Sequence, residues 1–229
     1  MRYVEQLPEA RDQLHMSRIY PSHNRWGIPD LPAVSTADIP DYLVAFKTRL
    51  RNGQDPQRYA VHYYMDDYRF ASVWSKPHVA AKTLGEHYGA SLTPDFSIYL
   101  DMPEIMKIWN VYRNRWVGAF LVENTTITVI PSVSWSASRA SWDYCFAGLS
   151  SGSVISLAGL GRRPTSDVLS AWQPGFEALI ERIAPPLILS YGDMPDWLLA
   201  RYPVRCYATR WQTIRAEANV RRKLKKGQS

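Results

Sequence analysis

The sequence predicts an α/β protein: one domain of repeated β-α units on a mainly parallel sheet, shaped as a (β/α)-barrel or an incomplete barrel, with an open doubly wound sheet as the alternative. Three observations carry that prediction. Seven short runs rich in β-branched and aromatic residues recur roughly every 30 residues. Helix-length segments lie between them, and a strand joined to the next by a helix is the unit of a parallel sheet. The chain of 229 residues, 46% hydrophobic and 13% aromatic, can bury one substantial core without dividing into two.

Residues 1–41 form a proline-punctuated wrap. Pro8, Pro21, Pro29, Pro32 and Pro40 forbid a long helix, while Ile19, Tyr20, Trp26, Ile28 and Leu31 supply apolar anchors. His23, Asn24 and Arg25 stand in its middle, as loop residues or as an overhang on a site. Residues 42–209 are the core domain. Strands are expected at residues 43–46, 59–65, 95–99, 126–133, 154–160, 187–191 and 204–208, and helices at 79–88, 103–122, 141–148, 166–183 and 195–200. The best-specified junction is the third strand running into the second helix. There Asp101 stands as N-cap, Pro103 fits the first turn and Glu104 completes a capping-box-like pair. Along that helix Ile105, Ile108, Trp109, Tyr112 and Trp116 form an apolar face, and Asn110, Arg113 and Asn114 form a polar stripe. Arg115 points away from Arg113 and reads as solvated or salt-bridged. Cys145 and Cys206 lie in apolar contexts as small buried core residues.

Several of these runs occur together in order: MDDYRFASVW (residues 65–74), LTPDFSIYLDMP (92–103), IWNVYRNRWVGAF (108–120), VIPSVSW (129–135) and DYCFAGL (143–149). Together they resemble the family known as domain of unknown function 4417, over roughly residues 43–191. The resemblance implies a protein of phages, plasmids, other mobile elements and bacterial chromosomes. It brings no biochemical activity with it, and it leaves the wrap and the C-terminal tail outside.

Parallel strands place their ligands at their carboxyl ends, so the polar residues there are the candidate site. Asp66 and Asp67 follow the second strand directly. Successive side chains on extended backbone face opposite ways, so at most one of the two shares a centre with Asp95. Asp66, Asp67 and Asp95 are the candidate acid and base groups, and Asp66 with Asp95 the candidate oxygen ligands for a hard cation such as Mg²⁺. The competing reading makes these aspartates turn caps and ion-pair partners of Arg69 or Arg113. Arg113 is the candidate phosphate contact, because a guanidinium grips phosphate or carboxylate through two parallel hydrogen bonds. Arg69, Asp101, Asn110, Trp135 and Tyr191 complete the ligand-binding candidates, with Trp135 a surface for stacking on a base. Trp142, Tyr144 and Phe146 belong instead to a core helix. The run GLGRR at residues 159–163 lacks the spacing of a phosphate loop, and no zinc, metalloprotease, serine-hydrolase or redox C-x-x-C spacing is present.

The net charge of +6 is unevenly placed. Residues 210–229 hold seven basic side chains against Glu217, and the rest of the chain holds twenty of each sign. This segment is expected to be a basic helix or tail that presents Arg221, Arg222, Lys223, Lys225 and Lys226 to phosphates. Expected partners are a nucleotide, a nucleic acid or a host protein. Without a signal-like start or a bilayer-length apolar run, no membrane is expected and the location is cytoplasmic. Two function classes follow: a protein acting on a nucleotide or nucleic acid at the strand ends, or a non-catalytic binder using its tail and aromatic surface.

Overall fold

The computed structural model describes residues 12–216 and 218. Seven strands, β1 (Tyr42–Ala45), β2 (Tyr59–His62), β3 (Ala90–Leu92), β4 (Thr128–Ile130), β5 (Ile155–Ala158), β6 (Ile188–Tyr191) and β7 (Val204–Tyr207), all pair in parallel. Their crossovers carry α1 (Ser72–Ser75), α2 (Pro77–His87), α3 (Glu104–Asn124), α4 (Trp142–Cys145), α5 (Ser166–Ile183) and α6 (Asp196–Arg201).

The strands pair in chain order, β1-β2-β3-β4 in one ladder and β5-β6-β7 in the other. A single parallel bridge between Ser132 and Ser156 joins the exit of β4 to β5. Unbroken order belongs to barrel-type sheets, whereas a doubly wound sheet reverses at its switch point. Among the described residues no ladder joins β7 to β1. Side chains span that seam instead: the Tyr207 hydroxyl donates to the Pro40 carbonyl at 2.6 Å, and Asp41 takes both Arg205 at 3.3 Å and Arg58 at 2.6 Å. The fold is thus a sequential parallel α/β sheet with one side-chain-bridged seam.

Two apolar clusters fill it. One packs Val61, Tyr63, Leu92 and Ile130 against Phe70, Leu84 and Phe120 from the first crossovers. The other packs Ile155, Leu157 and Ile188 against Phe146, Phe176, Leu179 and Leu198. The wrap is anchored by Ile28 and Leu31, both buried, and the Leu31 N–H donates to the Gly148 carbonyl at 2.9 Å. Ile19, expected as an anchor, is exposed.

Several expectations are corrected. The strand expected at 95–99 is not formed; β3 lies earlier and its ladder ends where the Thr93 N–H reaches the Ile130 carbonyl. Pro94 has no N–H to continue it, and the Phe96 N–H turns back to the Pro94 carbonyl. Asp101 is not the N-cap: it is exposed in a turn, and α3 opens at Glu104 behind Pro103 with no side-chain cap. Ile105 lies outside the apolar face, exposed to solvent. Cys206 is exposed while Cys145 is buried. The helix expected at 141–148 is the single turn α4. No helix among the described residues is long and apolar enough to cross a membrane.

Candidate functional site

Because every strand runs the same way, the exits of β2, β3 and β4 lie on one side, and α3 crosses beside them. Two hydroxyls tie the exits together: the Ser132 N–H donates to Thr93 Oγ1 at 2.9 Å and the Ser132 hydroxyl donates to the Thr93 carbonyl at 2.7 Å. Just beyond stands Asp95, half-buried as a residue. Its Oδ1 is buried and has no hydrogen-bond partner. Burial pushes the Asp95 carboxyl up to about 6, with the neighbouring charge of Asp67 adding to the rise and Ser134 and Arg115 opposing it.

Each group around Asp95 is held from a different element. Asp67, in the turn after β2, accepts from the Ser97 hydroxyl at 2.8 Å and from the Ser97 N–H at 3.2 Å. Tyr64 reaches across the sheet to the Ser156 hydroxyl at 2.8 Å, and burial together with the Asp95 charge raises its phenol. From α3, the Asn110 amide donates to the Ser97 carbonyl at 2.6 Å and the Asn114 amide to the Pro94 carbonyl at 2.8 Å. These two residues are one helical turn apart and so face the same exit. Arg113 lies over the Phe96 ring at 3.9 Å, donates to Asn110, and leaves its Nε enclosed without a partner.

Arg115 is the largest departure from expectation. It is fully enclosed, neither solvated nor salt-bridged. Its guanidinium donates to Asn114 and to the carbonyls of Ser132 at 3.1 Å, Cys145 at 3.1 Å and Ala147 at 3.3 Å. Burial lowers it to about 10, while Asp95 works the other way. A planar five-donor group suits such a carbonyl cradle. The gap bounded by Asn110, Asn114, Arg115, Ser132 and Ser134 is about 10 Å³, room for one water.

Two open hollows flank the exits of the later strands. A cleft of about 620 Å³ lies over the seam, with His62 and Tyr191 among its lining, and a shallower groove of about 510 Å³ lies beside Gly159, Gly192 and Trp211. Tyr191 borders both. Its ring packs 4.0 Å from His62 and stacks 5.5 Å from Tyr64, so aromatic contact runs from the cleft to the neighbour of Asp95. Burial lowers His62 to about 4, which keeps the imidazole neutral at pH 7.

The family described as Domain of unknown function (DUF4417) matches residues 20–207. The chain belongs to the DUF4417 family. It is similar to the "Gene 1 protein" of Mycobacterium phage L5, 35% identical over 217 residues, covering 91% of this chain and 90% of that protein. It is also similar to the "Gene 1 protein" of Mycobacterium phage D29, 33% identical over 219 residues, covering 95% of this chain and 79% of that protein. No solved structure matches. The DUF4417 match is wider than the expected 43–191, taking in much of the wrap and every strand.

Within this DUF4417 fold the predicted residues separate. Asp67, Asp95, Asn110 and Arg113 come together, and Tyr191 joins them through Tyr64. Asp66 is exposed at the start of the 3₁₀ turn Asp67–Arg69, with no side-chain cap bond, and Arg69 is exposed at its end. Asp101 is exposed at the corner before α3. Trp135 packs inward: its indole N–H donates to the Trp172 carbonyl at 3.2 Å and its ring sits 5.2 Å from Trp172. Gly175 makes that seat, since a Cβ there would lie 2.2 Å from the indole nitrogen. No group of three or more His, Cys, Asp or Glu side chains that could hold a metal stands together among the described residues. Arg221, Arg222, Lys223, Lys225 and Lys226 lie outside the described residues. Tyr64 and Arg115 were missed by residue-type reasoning. Arg115 carried a signal nonetheless, standing four residues after Val111 and three before Gly118 on the buried side of α3.

Proposed function

We propose that this phage-family protein binds a nucleotide or nucleic acid at the carboxyl ends of its parallel strands, and that Asp95 exchanges a proton with the bound ligand. The observation that carries this reading is the enclosed Asp95 Oδ1, unpartnered at the end of the sheet where parallel folds place their ligands. A buried oxygen left unsatisfied costs roughly 1–3 kcal/mol, a cost that a bound ligand would offset. Burial, with the charge of the neighbouring Asp67 adding to it, brings the Asp95 carboxyl up to about 6, within reach of proton exchange near neutral pH. Arg113 is the cation on the same side for a phosphate group.

The test is a thermal-shift screen of the full chain against nucleoside triphosphates, single-stranded oligonucleotides and Mg²⁺ between pH 5 and pH 8. Wild type, Asp95→Asn and a chain lacking residues 221–229 are run side by side. The expected result is a ligand-induced shift that changes with pH around 6 in wild type and is flat with pH in Asp95→Asn. Identical shifts in both proteins at every pH would sink the proton role. Salt-sensitive stabilisation by oligonucleotides alone, lost on removing the tail, would move binding away from the strand ends.

A further inference from the structure

We infer that the seam cleft between β1 and β7 is a binding site for the phosphates of a nucleoside polyphosphate. The inference deepens the reading of a nucleotide ligand but rests on different residues from Asp95. The cleft is lined by Arg49, Arg51 and Arg210, and among the described residues no Asp or Glu lines it. Among the described residues none of these three arginines has a carboxylate partner, a side-chain hydrogen bond or a ring beneath it. The contrast along the same seam is sharp, because Arg58 and Arg205 are both locked to Asp41. Three uncompensated guanidinium groups around one concavity repel one another and favour an anion between them.

The backbone that presents them is fixed. Lys47, two residues past β1, takes the left-handed conformation, φ 66°, and the Thr48 N–H closes the turn on the Ala45 carbonyl at 2.9 Å. A non-glycine residue adopts that conformation only where its surroundings hold it there, and here it carries the next residues back over the seam. Tyr88 donates to the Thr48 carbonyl, and Gln54 clamps the Arg51 N–H at 2.6 Å while donating to the Tyr59 hydroxyl at 2.7 Å. On the opposite wall the Arg210 N–H donates to the Tyr191 hydroxyl at 3.1 Å. A volume of about 620 Å³ is that of a small-ligand pocket. Leu43, Val44, Leu50 and Ile214 form an apolar wall for a base, beside the cations that take the phosphates.

The experiment is calorimetric titration of the full chain with inorganic pyrophosphate, ATP and a twelve-residue oligothymidylate, at low and high salt. Wild type is compared with Arg49→Ala/Arg51→Ala/Arg210→Ala, with each single Arg→Gln variant, and with Arg25→Ala, whose partner Asp143 lies elsewhere. ATP and pyrophosphate are expected to bind wild type and Arg25→Ala with salt-sensitive affinity, with roughly a tenfold or greater loss in the triple variant and partial losses in the singles. Equal affinity of wild type and triple variant, or no binding of either probe at millimolar concentration, would overturn the site. Binding of the oligonucleotide alone would overturn its assignment to a mononucleotide. Asp95→Asn serves to separate the two readings: it is expected to keep pyrophosphate binding, so loss in the arginine variants bears only on the seam and loss of pH dependence only on Asp95.

Discussion

Replacing Asp95 by Asn should make the protein more stable, by an amount that depends on pH. The carboxyl is displaced from an ordinary 3.8 to about 6. Each tenfold change in proton affinity is worth about 1.4 kcal/mol, so holding the ionised form in its enclosed position costs the fold roughly 3 kcal/mol above pH 7. The sign follows from proton counting. Between pH 4 and pH 6 the folded chain keeps the proton and the unfolded chain has lost it, so stability falls as pH rises through that window and stays low above it. Below pH 4 both states are protonated and the cost vanishes. Asn keeps the shape and cannot ionise, so its advantage over Asp is roughly 3 kcal/mol at pH 8 and near zero at pH 4. In a chain of this length that corresponds to on the order of 6–12 °C in Tm at pH 8. Urea unfolding of both proteins at pH 4, 5, 6, 7 and 8 measures it, with the difference between them cancelling every other titrating group. A difference that is flat with pH, or a variant less stable at pH 8, would refute the reasoning.

Arg115→Leu removes the donors of three carbonyls and of Asn114, and should cost roughly 3–5 kcal/mol in urea unfolding. It also removes a cation that holds the Asp95 carboxyl down, so the carboxyl should titrate above 6 by carbon-detected NMR, and the gain from Asp95→Asn should be larger in that background. Gly148→Ala should destabilise by roughly 2–5 kcal/mol, because the residue sits at φ 72° and the new Cβ would lie 2.1 Å from the Pro29 carbonyl oxygen. Its Tm should fall, and limited proteolysis should cut first in the wrap.

Much of the fold was legible because it is written in local chemistry. The run over residues 166–183 has a Thr cap before it and a sustained apolar stripe, and the structure forms α5 over the same residues. Strand runs such as β6 stand out because buried parallel strands read as short β-branched stretches. The third strand was misplaced for an equally local reason. Phe96, Ile98 and Tyr99 have strand-like side chains, but Pro94 cannot extend the ladder, and the true β3 is only three residues long. The two neighbouring carboxylates were singled out for different reasons: Asp67 was expected just past the second strand and lies in the turn after β2, whereas Asp95 was expected to open a strand and stands instead past the end of β3. Site residues were not legible where a role depends on distant elements. Nothing adjacent to Arg115 shows that α4 offers carbonyls to it, and Trp135 finds Trp172 from a separate helix. Asp66 and Asp67 are neighbours of the same type, and only the course of the backbone into Ser97 selects the second.

The distribution of charge gives the same lesson with a functional consequence. By sequence the excess is on the tail and the body is neutral, which directs attention to residues 221–226. Neutral in sum is not neutral in place. In the folded chain the carboxylates at positions 41, 123, 143 and 193 stand against Arg58 and Arg205, Arg18, Arg25 and Arg182, and Arg162, so their charge is matched where they lie. Arg49 and Arg51 of the body and Arg210 at the start of the basic segment have no carboxylate partner among the described residues, and the parallel sheet brings them to one cleft at the carboxyl ends of β1 and β7. A local excess in a concave, partly apolar wall acts on an anion more strongly than the same charges on a solvated tail, where salt screens them within about 10 Å. The Debye length therefore offers a direct comparison: anion binding through the seam should weaken less steeply with salt than binding through the tail.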